Sequence, residues 1–293
     1  DDAVRRILCV KYELGLFDDP YKYCNITRSN NELASDENMK VALEAAKKSI
    51  VLLKNNNQLL PLKKQGEKIA IIGPLANDKN SPLGNWRSQA VYNSASSVLE
   101  GMKNYNQNKL VFEKGVDLYY GKTNFHNRVK LNFDDRTGFD KAKLAAENSD
   151  IVIMVLGEEG NQSGEGRSRT NIGLPGLQLE LLKEIYKINQ NIVLVVMSGR
   201  PLDLTWADKN IPAIIQAWHL GSKSGEAIAE VLYGDYNPSG KLTMSFPRNV
   251  GQVPIYYNFK NTGRPSTSIE QVTNSGYADV VNSPLYSFGY GLS

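Results

Sequence analysis

The sequence predicts an α/β fold in which a mostly parallel, doubly wound sheet carries helices on both faces. Two observations carry this expectation. Short apolar runs rich in Ile and Val, such as IVIMVL at 151–156 and IVLVVM at 192–197, have no polar face and read as strands buried on both sides. Between them lie longer stretches with helical apolar periodicity, and regular alternation of the two is what parallel strands joined by crossover helices produce.

In chain order, DDAVRRILCVKYELGLF opens with Val4, Ile7, Leu8 and Tyr12 on one side of a helix that Gly15 closes. A connector, DDPYKYCNITRSNNELA, follows, and its Pro, Asn, Ser and Asp content marks a linker with a boundary near Ala34. Ser35 then serves as an N-cap, with Asp36 and Glu37 in the first turn, where the helix dipole favours negative charge. That helix is expected to end near Lys54, with Val41, Leu43, Ala45, Ala46, Ile50 and Leu53 on its apolar face. Strands are expected at 69–73, 110–113, 151–156, 192–197 and 212–217, and helices at 95–102, 139–146, 177–188 and 227–233. Residues 246–293, rich in Pro, Gly, Asn and Tyr, read as an extended tail over the domain surface. The abrupt start at Asp1 and the end at Ser293 amid aromatics and glycines lead us to expect a piece of a longer protein.

Composition narrows the function. With 293 residues, 41% apolar and 22% charged, the chain is ordinary for a globular protein. The formal charge of +3 arises from 34 basic and 31 acidic residues mixed along the sequence, without the Lys/Arg stripe that phosphate backbones require, so nucleic acid is not an expected partner. No apolar run approaches the ~20 residues of a membrane span. Cys9 and Cys24 lie near the start, and their spacing does not decide between a disulfide and free thiols.

Several chemistries fail on their own requirements. Strand 69–72 is followed by GPLAND, which lacks the GxGxxG of a dinucleotide site and places Pro74 where the turn must cradle pyrophosphate. GVDLYYGKT at 115–123 ends like a phosphate loop, but Gly115 and Gly121 are one residue too far apart and two tyrosines crowd the cradle. No serine has the GxSxG setting of a nucleophile elbow. His126 and His219, the two imidazoles of the chain, are isolated in sequence and do not make a usual zinc site. No cofactor and no metal are expected.

Carboxylate chemistry remains. GEEGNQSGEGRSRTNIGLPG at 157–176 leaves the 151–156 strand at the end of the sheet where open α/β folds bind ligands. Glu165 lies there between two glycines, and Glu158, Glu159, Arg167 and Arg169 supply charges that can tune one another. One reading is a solvated, charge-balanced loop. The other is glycoside hydrolysis, in which one carboxylic acid protonates the leaving oxygen and a second carboxylate attacks the anomeric carbon or activates water. Glu165 suits the acid; Glu158 is read as a loop anchor through backbone amides or Arg169, and Glu159 as solvated.

Longer motifs carry a resemblance. SIVLLKNNNQLLPLKK at 49–64, IAIIGPLAND at 69–78, LGNW at 83–86, SGEGRSRTNIGLPGLQLELL at 163–182, SGRPLDL at 198–204, the run from GDYNPSGKL at 234 to NTGRP at 265, and PLYSFGYGLS at 284–293 resemble glycoside hydrolase family 3, in family order. Within it they look most like the bacterial periplasmic β-glucosidase branch. The resemblance implies a (β/α)8-type barrel followed by an (α/β)6 three-layer sandwich, often with a fibronectin type III-like domain behind. Residues 1–17 then correspond to the last barrel helix, 18–34 to a linker, 35–245 to the sandwich, and 246–293 to a tail leading to the further domain.

The resemblance also implies an exo-acting, retaining β-glucosidase that releases β-D-glucose from non-reducing ends, with the barrel as the intramolecular partner of this domain. The nucleophilic Asp sits in a Ser-Asp-Trp motif on the barrel, and no such motif occurs in this chain. SGEGRSR aligns the acid/base with Glu165, supported by Glu158, Arg167 and Arg169. Trp86 either walls the leaving-group subsite or is a buried indole that anchors its loop. Alone, the chain is expected to hydrolyse little or nothing. Alternatives are a β-xylosidase or another exo-glycosidase of the family, or a non-catalytic carbohydrate-binding or scaffolding module; the upstream sequence discriminates. A periplasmic or secreted location is implied by the resemblance. Two departures stand out: Asn171 occupies a position where the family pattern carries Asp, and HLGSKSGEA at 219–227 is more polar than the usual glycine-rich run. The sequons at Asn25 and Asn161 bear on a source that glycosylates.

Overall fold

A computed structural model of the chain describes residues 1–88, 90–105, 107–260, 263–264 and 276–293. They fall into two compact units, Asp1–Val41 and Ala42–Ser293. In the first, α1 (Asp2–Glu13) and α2 (Ile26–Glu32) bury no residue. α2 lies inside the connector, where no helix was expected. Asn25 nucleates it, its Oδ1 accepting the Arg28 N–H at 2.8 Å. Cys9 and Cys24 are free and exposed. The cap expected for α3 (Asp36–Ser49) is present, with Ser35 Oγ accepting the Asn38 N–H at 3.3 Å.

The second unit is built on β1 (Val51–Asn55), β2 (Gln65–Ile72), β3 (Gln107–Glu113), β4 (Ile151–Gly157), β5 (Ile192–Met197) and β6 (Ala213–Gln216). They form a six-stranded sheet in the order β1-β6-β5-β4-β2-β3. Every pairing is parallel except β1 with β6. Period-2 alternation divides the core in two: Val152, Met154 and Leu156 of β4 join one cluster, while Ile151, Ile153 and Val155 join the other. The first cluster is closed by α5 (Phe139–Glu147), α6 (Gln178–Tyr186) and α7 (Thr205–Asn210). The second is closed by Ala46 of α3, α4 (Val98–Lys103) and α8 (Ser224–Leu232). The result is the expected three-layer α/β sandwich.

α4 and α8 cross with their backbones in contact. A Cβ on Gly101 would overlap the Gly225 carbonyl, and one on Gly225 would overlap the Ser97 carbonyl. α4 starts later than the sequence reading had it because Ser97 closes a capping box: its Oγ accepts the Glu100 N–H at 3.2 Å, and its own N–H reaches Glu100 Oε2 at 3.0 Å.

Two local expectations are corrected. The helix expected to end near Lys54 stops at Ser49, and Val51–Asn55 is an antiparallel edge strand. The apolar pattern runs unbroken across the junction; pairing with β6 decides the conformation, and that partner is far away in sequence. α7 was missed because its six residues, TWADKN, are too few to show an apolar period. The C-terminal segment lies along 242–246 and β1: Phe246 N–H reaches Tyr286 O at 2.8 Å and Leu292 N–H reaches Leu52 O at 2.8 Å. Tyr286 stacks on Tyr290 and Phe288 on Tyr257. Residues 261–262 and 265–275 of the expected tail lie outside the described residues.

Candidate active site

The parallel part of the sheet, β3-β2-β4-β5-β6, winds one way from β2 to β3 and the other way from β4 onward. Such a reversal leaves a crevice at the carboxyl ends of the two strands at the switch, here β2 and β4. Both strands leave the sheet through glycines in the left-handed half of conformational space, Gly73 (φ 134°) and Gly157 (φ 144°). A Cβ on Gly73 would overlap Val155 O, and one on Gly157 would overlap Met197 O. Glycine is needed because neighbouring backbone passes too close for any side chain.

The loop after β4 is held at its root. Gln178, fully buried at the start of α6, bonds both polar groups of Gly157, with Oε1 accepting its N–H at 2.9 Å and Nε2 reaching its carbonyl at 2.8 Å. Glu158 has no solvent exposure and lies between two guanidiniums, Arg169 (Nη1 to Oε1, 2.8 Å) and Arg200 (Nε to Oε1, 3.0 Å). The expected Arg169 anchor is therefore present, with a second arginine beside it. Glu159, expected to be solvated, is instead buried. Its carboxylate accepts Thr123 Oγ1 at 2.8 Å and the Asn161 backbone and side-chain amides at 2.7 and 2.8 Å. Full hydrogen bonding makes burial of that charge tolerable. Asn161 is only 2% exposed, so its sequon is sealed inside the fold.

Arg167 turns away from Glu165. Its Nε reaches Asn161 O at 2.9 Å, its Nη2 bonds the Phe125 carbonyl, and its guanidinium lies 5.6 Å from the Phe125 ring centroid. Asn171 Oδ1 accepts the Gly173 N–H at 2.8 Å, so this position forms a turn.

Glu165 stands apart from the other two carboxylates. It is exposed, and among the described residues it makes no hydrogen bond or ion pair. Its flanking glycines have φ of 111° (Gly164) and 66° (Gly166). Gly164 abuts the Asn85 amide so closely that a Cβ would overlap it, while Gly166 has nothing within 4 Å. Trp86, next to Asn85, is 68% exposed; the buried-anchor reading of its indole is corrected, because no packing holds it. A cleft of about 690 Å3 between the ends of β2 and β3 is lined by Asn77, Asp78, Tyr119 and Tyr120, and by neither Glu165 nor Trp86.

Sequence reasoning missed four supports: Arg200, Gln178, Thr123 and the buried role of Glu159. Arg200 sits in the SGRPLDL motif just after β5, and its side-chain partners, Glu158, Gln162 and Arg167, are all more than thirty positions away in sequence. His219 follows the end of β6, with both ring nitrogens sealed from solvent and without a well-formed hydrogen bond. Burial pushes its pKa down to about 4, and Asp78 and the Ser81 backbone only partly oppose the shift.

The arrangement defines a class: a three-layer α/β domain that presents one unpartnered carboxylate on a tightly anchored loop at the switch crevice. Residues 50–293 match the family model described as the glycosyl hydrolase family 3 C-terminal domain. A periplasmic β-glucosidase of Salmonella typhimurium is 42% identical over the whole chain, which covers 40% of that relative. A β-xylosidase of Formosa agariphila is 38% identical, with 100% of this chain and 39% of the relative covered. A β-glucosidase from Listeria innocua, solved in complex with gluconolactone, superposes with a TM-score of 0.86 at 34% identity, over 99% of this chain and 38% of that one. The chain belongs to glycosyl hydrolase family 3, and it spans about two fifths of the length of these relatives.

Proposed function

We propose that this chain supplies the proton-donating half of an exo-acting, retaining β-glucosidase, which releases β-D-glucose from the non-reducing ends of β-glucosides and oligosaccharides. Glu165 is the general acid/base. The nucleophile comes from an N-terminal barrel domain, to which residues 1–17 contribute the last helix and 18–34 the link. Glu158, Arg167 and Arg169 support the acid loop, and Trp86 borders the leaving-group side. The location is periplasmic or secreted, in line with the name of the Salmonella relative; no helix among the described residues is long and apolar enough to cross a membrane.

One observation carries this reading. Of the loop's three carboxylates, Glu158 and Glu159 are buried and bonded, and Glu165 alone is exposed and uncommitted. A donor has to reach the glycosidic oxygen at about 2.6–3.2 Å, and a side chain already held by neighbours does not. In the assembled site the two carboxyl groups of a retaining enzyme stand about 5–5.5 Å apart. The nucleophile's negative charge and exclusion of water by the barrel would then raise the Glu165 pKa for its role as acid. After departure of the leaving group, Glu165 takes the proton from the attacking water.

Glu165→Gln in the full-length enzyme tests the assignment with two aryl glucosides. kcat/KM should fall roughly 10²- to 10⁴-fold for a poor leaving group, and far less for dinitrophenolate, which departs without a proton. Equal losses on both remove Glu165 from the acid role. The second reading, a β-xylosidase, is favoured by the Formosa relative; comparing xyloside with glucoside turnover separates the two.

A further inference from the structure

We infer that Arg200 is a positioning residue for Glu165, a clamp that closes the neck of the acid loop. The inference rests on Glu165 being the proton donor. One guanidinium nitrogen, Arg200 Nη2, donates to Gln162 O at 2.5 Å and to Arg167 O at 2.7 Å. These carbonyls lie on either side of Glu165 in the chain, so the two strands of the turn converge on a single group. The other edge of the fork, Nε, bears on Glu158 at 3.0 Å to Oε1 and 3.2 Å to Oε2. Glu158 is in turn fixed to the sheet, its N–H donating to Met197 O at 2.7 Å.

Arg200 is itself well placed. It follows β5, its carbonyl accepts Ser198 Oγ at 2.8 Å, and the preceding Gly199 packs so closely on Ser163 that a Cβ would overlap the hydroxyl. The chain of restraint thus runs from β5 through one planar fork to both ends of the turn. Apart from the packing of Gly164 on the Asn85 amide, the turn has little else to hold it. Gly164 and Gly166 are conformationally permissive, the Arg167 N–H to Gly164 O bond is long at 3.2 Å, and the Arg167 side chain is committed to Asn161 and Phe125. Without the clamp, Glu165 would sample many positions. A misplacement of about 1 Å can cost on the order of 10² in rate.

Lysine cannot replace this arrangement, because a point charge on a flexible stem does not hold two carbonyls and a carboxylate in one plane. The test uses Arg200→Lys and Arg200→Met in the full-length enzyme, with Glu165→Gln in parallel. kcat/KM is measured on a phenyl glucoside with a poor leaving group and on the dinitrophenyl glucoside, and Tm is recorded for each variant. Arg200→Lys keeps a cation beside Glu158 and decides the question if Arg200→Met does not fold. The expected result is a loss on the poor leaving group at least tenfold greater than on the dinitrophenyl substrate. A merely structural role would lower both equally through the folded fraction. Equal losses, or none, for Arg200→Lys overturn the clamp. If Glu165→Gln splits the two substrates and Arg200→Lys does not, the clamp alone falls. If Glu165→Gln fails to split them, the acid assignment falls and takes the clamp with it.

Discussion

Replacing Glu158 by Gln removes the charge that two arginines share beneath the loop that carries Glu165. The Glu158 side chain is 0% exposed, and those of Arg169 and Arg200 are 17% and 19% exposed, so little water is available to replace the lost carboxylate. Breaking a buried pair by deleting one partner costs about 3–5 kcal/mol, chiefly through the charge left behind. Here two cations are left facing each other. Gln keeps the shape and can still accept from one guanidinium, which places the expectation near the lower end, about 3 kcal/mol. For a domain of this size, each kcal/mol shifts Tm by about 2–4 °C, so Tm should fall by roughly 6–12 °C. Thermal and urea unfolding of the purified chain measure this directly. Adding salt should not abolish the difference, because screening acts on exposed charges far more than on buried ones. A Tm within about 2 °C of the parent chain would mean that the two arginines find other partners and that Glu158 does not anchor the loop.

Gly101→Ala should destabilise the chain by about 1–3 kcal/mol, because its methyl group meets the Gly225 carbonyl where α4 and α8 cross; an unchanged urea midpoint would contradict that packing. His219→Gln should flatten the acid side of the stability profile. With a folded pKa near 4 against an ordinary value of 6.5, the neutral imidazole is favoured in the fold. Its contribution is complete above about pH 6.5 and is lost as pH falls toward 4, by up to roughly 3 kcal/mol. Urea titrations at several pH values should show that loss in the parent chain and not in the variant; identical slopes would refute it.

The parallel strands were legible because their Ile and Val runs have no polar face, and only a strand covered on both sides tolerates that. The glycine-flanked position of Glu165 was also legible, since it depends on local residue order. What stayed hidden depends on distant partners. β1 looked like more helix because only its pairing with β6 distinguishes it. Glu159 looked solvated because the donors that hydrogen-bond its carboxylate include Thr123, supplied by the loop after β3. Arg200 was present in a quoted motif, yet its role depends on three acceptors brought together by the fold. Trp86 misled in the opposite direction: a large indole predicts burial by its chemistry, and the loop leaves it exposed.

In the proposed mechanism Glu165 acts as acid in one step and as base in the next. Azide needs no proton removed and can replace water as the attacker on a glycosyl-enzyme intermediate when the base is missing. The most direct measurement is therefore turnover of dinitrophenyl β-glucoside by Glu165→Ala full-length enzyme, with and without azide, with product analysis. Azide should accelerate turnover and yield β-glucosyl azide. Turnover that azide leaves unchanged, with glucose as the product, would contradict that mechanism.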